Sequence, residues 1–308
     1  MTRFIIVRLL QSFVALIGIS VLIFLLVRAS GDPTMLYRTS MSTEEDIARI
    51  RANLGLDKPL PEQYWIFITD LAQGDLGESL LGQRRPVTEM IWERLDNSLL
   101  LAVPAFLLSM IVALLLGVLG AVKRDTWMDN GVKFVAILGQ ALPGFWLAIM
   151  CILLFSVYWQ IFPPSHMGDF SHYVLPVSTM AFFLLPGMLR LVRSSMLDVL
   201  DSEYIKMARI KGLPERIVIW KHALRNALIA PLTAAGMILA MLVTGTVVTE
   251  QVFAWPGVGM LMLDALFSRD FPVVQGIVLM VAAMVLLVNL LVDILYAYIE
   301  PQIRYQQM

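Results

Sequence analysis

The chain has 308 residues, 58% of them hydrophobic, with a formal net charge of -1 and a single cysteine. Its mean hydropathy is +0.76 and soluble domains are only about 45–50% apolar, so this is an integral membrane protein. The near-neutral charge supplies no basic field for nucleic acid, and Cys151, alone inside an apolar run, leaves neither a disulfide nor a cysteine-based metal site available.

Six apolar runs, at about 9–27, 98–121, 134–158, 173–189, 226–249 and 273–298, are long enough to cross about 30 Å of hydrocarbon, which takes roughly 20 residues each. The expected fold class is an all-α membrane protein with six transmembrane helices. The first run is too long for the core of a signal peptide, and Arg28-Ala-Ser-Gly31-Asp32-Pro33 reads as a turn, so the run is expected to be a retained anchor. Lysine and arginine placement sets the orientation. With the N-terminus inside, the cytoplasmic side holds Arg3, Arg8, Lys123, Arg124, Lys133, the eight basic residues from Arg190 to Arg225, and Arg304. The short outer loops, about 159–172 and 250–272, hold only Arg269. Both termini are expected in the cytoplasm of a multi-pass protein.

Three segments follow: an N-terminal tail and first span, 1–28; an extracytoplasmic helical subdomain, 29–96; and a core domain, 97–308, with a cytoplasmic loop at 190–225. In the subdomain, Ser42 and Glu45 form a capping-box pattern ahead of Ile47, Ile50 and Leu54, with Gly55 as the stop. A second amphipathic piece begins after Pro59 and Pro61 and shows Tyr64, Trp65, Ile68 and Leu71 before Gly74. The subdomain is either a cap over the outer mouth or a platform for a soluble partner delivering substrate.

Prolines and glycines cluster where a translocation path would need irregular backbone. Pro143-Gly144, Pro176 and Pro186-Gly187 lie in or beside the third and fourth spans. A bilayer tolerates such breaks only where protein or water meets the freed backbone groups. Pro143, Pro186 and Gly187 are therefore candidate gates or packing kinks. After the fifth span, Phe253-Ala-Trp255-Pro256-Gly257-Val258-Gly259 predicts a tight turn and a short interfacial helix, with Trp255 at headgroup depth.

The longest polar stretch of the second half is Asp201 to Asn226. A helix from Ser202 to about Lys211 places Ile205, Ala208 and Gly212 on one narrow face, where small residues would let another protein approach the backbone. Lys206, Arg209 and Lys211 ring the other sides, Gly212 is the expected C-cap, and Pro214 blocks continuation. A second run from Glu215 carries Ile217, Trp220, Ala223 and Leu224 towards the next span. By these residues alone the stretch is a docking element or a basic amphipathic loop on anionic headgroups.

No charged residue or histidine interrupts the middle of a span, and Asp293 lies near the inner end of the last. Ion-coupled transporters keep such residues at mid-membrane, so a self-energised transporter is disfavoured. His166 and His172, six apart, share no face of a regular element and read as a solvated loop. There is no phosphate loop and no catalytic constellation. A transport protein without its own energy source needs a partner. A stand-alone channel and a membrane scaffold are the alternatives.

The motifs then agree, in order and spacing, over essentially the whole chain: Gly31-Asp32-Pro33, Leu54-Gly-Leu-Asp-Lys-Pro59, Gly74-Asp-Leu-Gly77, Arg193-Ser-Ser-Met-Leu-Asp198, Ala208-Arg-Ile-Lys-Gly212 with His222-Ala-Leu-Arg-Asn226, Trp255-Pro-Gly-Val-Gly259 and Arg269-Asp-Phe-Pro272. With these the chain resembles the permease subunits of ABC importers for peptides and nickel, the first of the two permeases of oligopeptide, dipeptide, glutathione and nickel systems. It departs from them at Met207 and Ile210, where relatives have threonine and alanine, at Pro231, displaced by one position, and at Glu300-Pro-Gln-Ile-Arg304. The resemblance implies the type I importer permease fold in the inner membrane, with short peptides as cargo and nickel or a metal chelate as the alternative. It implies a second homologous permease, two ATPase subunits that carry ATP and magnesium, and an extracytoplasmic substrate-binding protein. The chain itself would be non-catalytic and bind no cofactor. It implies that 202–213 is the coupling helix seated in an ATPase groove, with Glu203, Tyr204, Ile205, Met207, Ala208, Arg209, Lys211, Gly212 and Leu213 as the coupling residues.

Overall fold

The computed structural model describes residues 2–30, 45, 51–52, 55–81 and 84–299. The Gly31-Asp32-Pro33 turn, the capping-box serine, Leu54 and the closing 300–304 segment lie outside the described residues. In chain order the helices are α1 (Thr2–Ala29), α2 (Leu60–Ala72), α3 (Val87–Val122), α4 (Trp127–Ala141), α5 (Gly144–Cys151) with a π-helical continuation (Ile152–Tyr158), α6 (Phe170–Leu200) and α7 (Glu203–Ile210). Then come α8 (Glu215–Ile217), a π-helical turn (Val218–Ala223), α9 (Leu224–Ala227), α10 (Ile229–Gly245), α11 (Val247–Val252), α12 (Val258–Phe267) and α13 (Phe271–Ile299). Among the described residues the only β pairing is an isolated bridge between Glu78 and Pro86.

Among the described residues, four helices are individually long and apolar enough to cross a membrane: the Ile5–Ala29 part of α1, α3, α6 and the Phe271–Ile294 part of α13. The expected third span is a bent pair, α4 and α5 with its continuation, turned by 101°. The break follows from Pro143: the residue before a proline is pushed to extended backbone, and Leu142 sits at φ -87°, ψ 126°. The expected fifth span, 226–249, is helical but interrupted at Leu228 and Thr246, so its longest piece is the 17-residue α10. By contrast α6 runs unbroken through Pro176 and Pro186. At Pro186, one of the candidate gates or packing kinks, α4 presents Gly139, where a β-carbon would meet the Pro186 ring at 2.6 Å, so the proline is a packing contact.

The chain forms two compact units, Ser98–Trp255 with the segment beginning at Leu287, and Thr2–Asn97 with Pro256–Leu286. In the second unit, α2 lies on α1. Tyr64 stacks edge-on against Phe24 at 5.4 Å between centroids, Phe67 stacks on the same ring at 5.9 Å, and the Tyr64 hydroxyl is 2.9 Å from Ser20 Oγ. The inward side of α2 is therefore Gln63, Tyr64 and Phe67, whereas Trp65, expected among its apolar positions, is exposed. Val87, Ile91 and Leu95 of α3 pack with Val258, Leu261, Val273 and Ile277 in this unit's core. Asp270 anchors the 79–81 loop there, accepting from the Ser79 hydroxyl and from Leu80 N–H.

In the first unit, one apolar core joins Ala113, Val118 and Ala121 of α3, Val132 and Ala136 of α4, and Leu189, Val192, Met196 and Leu200 of α6. Glycines allow this approach. A β-carbon on Gly117 would lie 2.7 Å from Val192 Cγ1, and one on Gly120 would lie 3.1 Å from Val132 Cγ1. Small residues let membrane helices reach each other's backbones, where dispersion contact replaces the missing hydrophobic drive. At the other end of the unit, the turn after α11 is built as expected, with Ala254 at φ 48°. Trp255 is wholly buried within the unit, its ring 4.8 Å from Tyr173. The Trp255 backbone N–H donates to the Glu250 carbonyl oxygen at 2.8 Å and closes the turn.

Candidate coupling site

Helix α7 is two turns long, too short to be stable on propensity alone, so its place depends on packing. Glu203 in its first turn and Arg209 in its last complement the helix dipole. Its end is a Schellman motif: Leu213 N–H donates to Ala208 O at 3.3 Å and Gly212 N–H to Arg209 O at 2.9 Å. Gly212 takes φ +75°, which this motif requires, and no atom lies within 4 Å of where its β-carbon would be. Leu213 turns back onto the core. Beyond the turn, Glu215 reaches back to Arg209, with Nε to Oε1 at 2.8 Å.

The burial of α7 reverses one expectation. Ile205 and Ala208, the positions thought open to a partner, are buried and belong to the first unit's own core. That core also holds Val192, Met196 and Leu200 of α6 and Val218, Ala223 and Leu224 beyond the turn. Of the small residues on that face, Ala208 faces the chain's own core, whereas Gly212 has open space around it. The outward face carries Tyr204, Met207 and Ile210, exposed by 45%, 53% and 79%. Around it stand Glu203, Lys206, Arg209, Lys211 and Gly212, all exposed. Lys206 bonds Glu203 at 2.8 Å, and that neighbour holds its ammonium pKa above the ordinary value.

Ile210, absent from the predicted coupling residues, is the most exposed apolar side chain of α7. Its signal was present: Tyr204, Met207 and Ile210 recur at intervals of three, the face opposite Ile205 and Ala208. The segment after the turn also differs from expectation. A π-helical turn puts Val218 and Ala223, five apart, on the buried side and leaves Ile217 and Trp220 exposed. Asn226 of α9 donates to the Tyr204 hydroxyl at 2.8 Å and so ties α7 to α9.

One charged cluster escaped the sequence reading. Asp129, at the start of α4, is wholly buried. It takes a two-pronged bond from Arg193 of α6, Nε to Oδ1 at 2.7 Å and Nη2 to Oδ2 at 2.9 Å. Lys133 adds a contact at 2.8 Å and Asp125 N–H one at 3.1 Å. Nearby, Arg124 reaches Asp201, in the short link between α6 and α7, at 3.3 Å. Among the candidate gates, Pro143 stands at the bend between α4 and α5, whereas Pro186 and Gly187 lie inside α6, remote in sequence from that bend.

This short helix is thus rooted in the core that joins α3, α4 and α6, and its other face carries uncovered apolar side chains. The chain belongs to the family of binding-protein-dependent transport system inner membrane components, whose profile matches residues 113–305, with the matching N-terminal component over 1–102. It is a multi-pass protein of the inner membrane with the type I ABC importer permease fold. It is 40% identical over 314 residues to a peptide transport system permease protein of Brucella abortus, covering 99% of this chain and 100% of that one. It is 39% identical over 307 residues to the glutathione transport system permease protein GsiC of Pectobacterium atrosepticum, covering 99% and 100%. The oligopeptide transport system permease protein AppB of Bacillus subtilis is 36% identical over 316 residues, with the same coverage. Among solved structures, an amino acid ABC transporter with histidines shares the fold at a TM-score of 0.51 and 15% identity, over 68% of this chain and 94% of that one.

Proposed function

We propose that the chain is the non-catalytic permease subunit of an ABC importer for short peptides and is driven by separate ATPase subunits through α7. The observation that carries this is the two-faced construction of α7. Ile205 and Ala208 root it in the core shared by α3, α4 and α6, while Tyr204, Met207 and Ile210 stand uncovered beyond it. A stripe of this kind fits an apolar groove on another protein, and force applied there enters the spans through packed side chains rather than through a loose loop. Glu203, Arg209, Lys211 and Gly212 would then line the rim of the groove. The orientation that places α7 in the cytoplasm, with both termini inside, follows from the distribution of basic residues. A second homologous permease and an extracytoplasmic binding protein would complete the assembly, and ATP and magnesium would sit on the ATPase subunits. Relatives at 36–40% identity named for peptide, oligopeptide and glutathione transport support short peptides as the cargo.

The test is to purify the tagged chain from native membranes in mild detergent and identify its stoichiometric partners by mass spectrometry. Recovery of a second permease and ATPase subunits is expected. Recovery of the chain alone, under conditions that keep other ABC importers whole, would refute the proposal.

A further inference from the structure

We infer that Asp129 and Arg193 are positioning residues for coupling, clamping the α3–α4 corner to the part of α6 that leads into α7. The inference rests on the reading of α7 as the site where ATPase motion enters. Helix α6 ends at Leu200, and only Asp201 and Ser202 separate it from α7. A push on α7 therefore reaches α6 directly, through the chain and through Ile205 packed against the same core as Met196 and Leu200. The same core touches α3 and α4, but apolar contacts alone fix no orientation between helices, and the short turn joining α3 to α4, 123–126, is exposed and adds no packing of its own.

Two ion pairs of unlike character bear on that orientation. Arg124–Asp201 is exposed, and such a pair holds little. Asp129–Arg193 is different. The carboxylate is wholly buried, both of its oxygens are engaged by one planar guanidinium, and Lys133 and Asp125 N–H fill its remaining acceptor sites. A bidentate pair fixes orientation as well as distance. Directly beside it, α3 brings Gly120 to the Arg193 side chain, 3.4 Å from where a β-carbon would stand to Cδ, and Gly117 to Val192. The pair thus closes the point where α3, α4 and α6 meet. A pair with one buried member is a poor choice for stability alone, but it resists sliding: shear between α4 and α6 would part a buried carboxylate from its partly exposed guanidinium. The three helices then move as one body when α7 is displaced.

The experiment uses the complete complex, purified through this chain and reconstituted in liposomes. ATP hydrolysis and uptake of radiolabelled dialanine and trialanine are measured together. The variants are Asp129→Asn/Arg193→Gln, which removes both charges while keeping size and hydrogen-bonding atoms, and Asp129→Glu, which keeps the pair. The double variant is expected to retain its partners and hydrolyse ATP, with peptide moved per ATP falling about tenfold, and Asp129→Glu is expected to restore most of it. If uptake and hydrolysis fall together at an unchanged ratio, the pair is structural only and the inference fails. An unchanged ratio at full activity also overturns it. If the unsubstituted chain brings down no ATPase or moves neither peptide, the underlying reading fails and the inference with it; that outcome appears in the control and not in the variants.

Discussion

Ile205 and Ile210 belong to the same two-turn helix, yet the first is wholly buried and the second is 79% exposed. One isoleucine holds α7 to its own chain and the other is offered outward. Substitutions at the two positions should therefore fail in different ways. Ile205→Ala removes a core side chain and is expected to cost about 2–5 kcal/mol of stability, read as a lowered thermal midpoint of the purified chain. Ile210→Glu touches no core and should leave that midpoint in place while reducing ATPase recovery on the tagged chain roughly tenfold, the scale of a truncated interface anchor. Equal thermal losses in both would show that α7 has no outward role.

At Gly212 the backbone conformation, not crowding, sets the expectation. The glycine takes φ +75° with open space around its missing side chain. Any L-residue there pays about 1–2 kcal/mol for the left-handed conformation, with asparagine and aspartate the most tolerant. Gly212→Asn should keep coupling nearly intact, Gly212→Asp, of the same size, should uncouple hydrolysis from uptake by bringing negative charge to the rim, and Gly212→Val should also loosen α7. Membrane abundance, uptake and hydrolysis measured on the three variants check this order. Full uptake by Gly212→Asp at normal abundance would remove Gly212 from the coupling site.

The contact between Gly117 and Val192 is open to a double-mutant cycle. Gly117→Ala introduces a β-carbon 2.7 Å from Val192 Cγ1, and overpacking of this kind costs about 1–3 kcal/mol. Val192→Ala alone leaves a small cavity. Combined, the two changes should be less harmful than their sum, by about 0.5–3 kcal/mol of interaction energy, read from denaturant or thermal unfolding in detergent. Strict additivity would mean that the two helices do not meet at this point.

Breaking the Asp129–Arg193 pair from one side should be far worse than dissolving it from both. Arg193→Gln leaves a buried carboxylate with only the half-exposed Lys133 as its cation, so the loss should lie below the about 3–5 kcal/mol of a fully unpaired buried charge. The neutral pair Asp129→Asn/Arg193→Gln should recover most of that loss. Thermal midpoints of the single and double variants decide the matter, and a double variant no better than the single would argue that the pair is not desolvated.

Much of this architecture is legible in the sequence because span length is a direct property of apolar content. The positions of α1, α3, α6 and α13 follow from it. The C-terminal stop of α7 was equally legible, since Gly212 followed by Pro214 has one common structural meaning. The interruptions at Leu228 and Thr246 were not, because an apolar run looks the same whether or not its backbone hydrogen bonds shift. The inward turn of Ile205 and Ala208 was misread for a physical reason: small residues permit close approach without saying whose backbone approaches. The π-helical turn at 218–223, which leaves Val218 and Ala223 buried and Ile217 and Trp220 exposed, is a register change that a 3.6-residue period cannot foresee. The Asp129–Arg193 pair joins residues 64 positions apart, and nothing local to either marks the other.

The burial of Trp255 has an optical consequence. The chain holds 7 tryptophans, and Trp65, Trp92, Trp127, Trp146, Trp159 and Trp220 are all exposed on it, whereas Trp255 is enclosed against Tyr173. Intrinsic emission of the folded subunit is therefore dominated by indoles that see lipid, water or a neighbouring subunit, and its colour reports the surroundings more than the fold. A chain stripped of the six outer indoles would carry one fluorophore whose environment changes only when the turn after α11 comes apart.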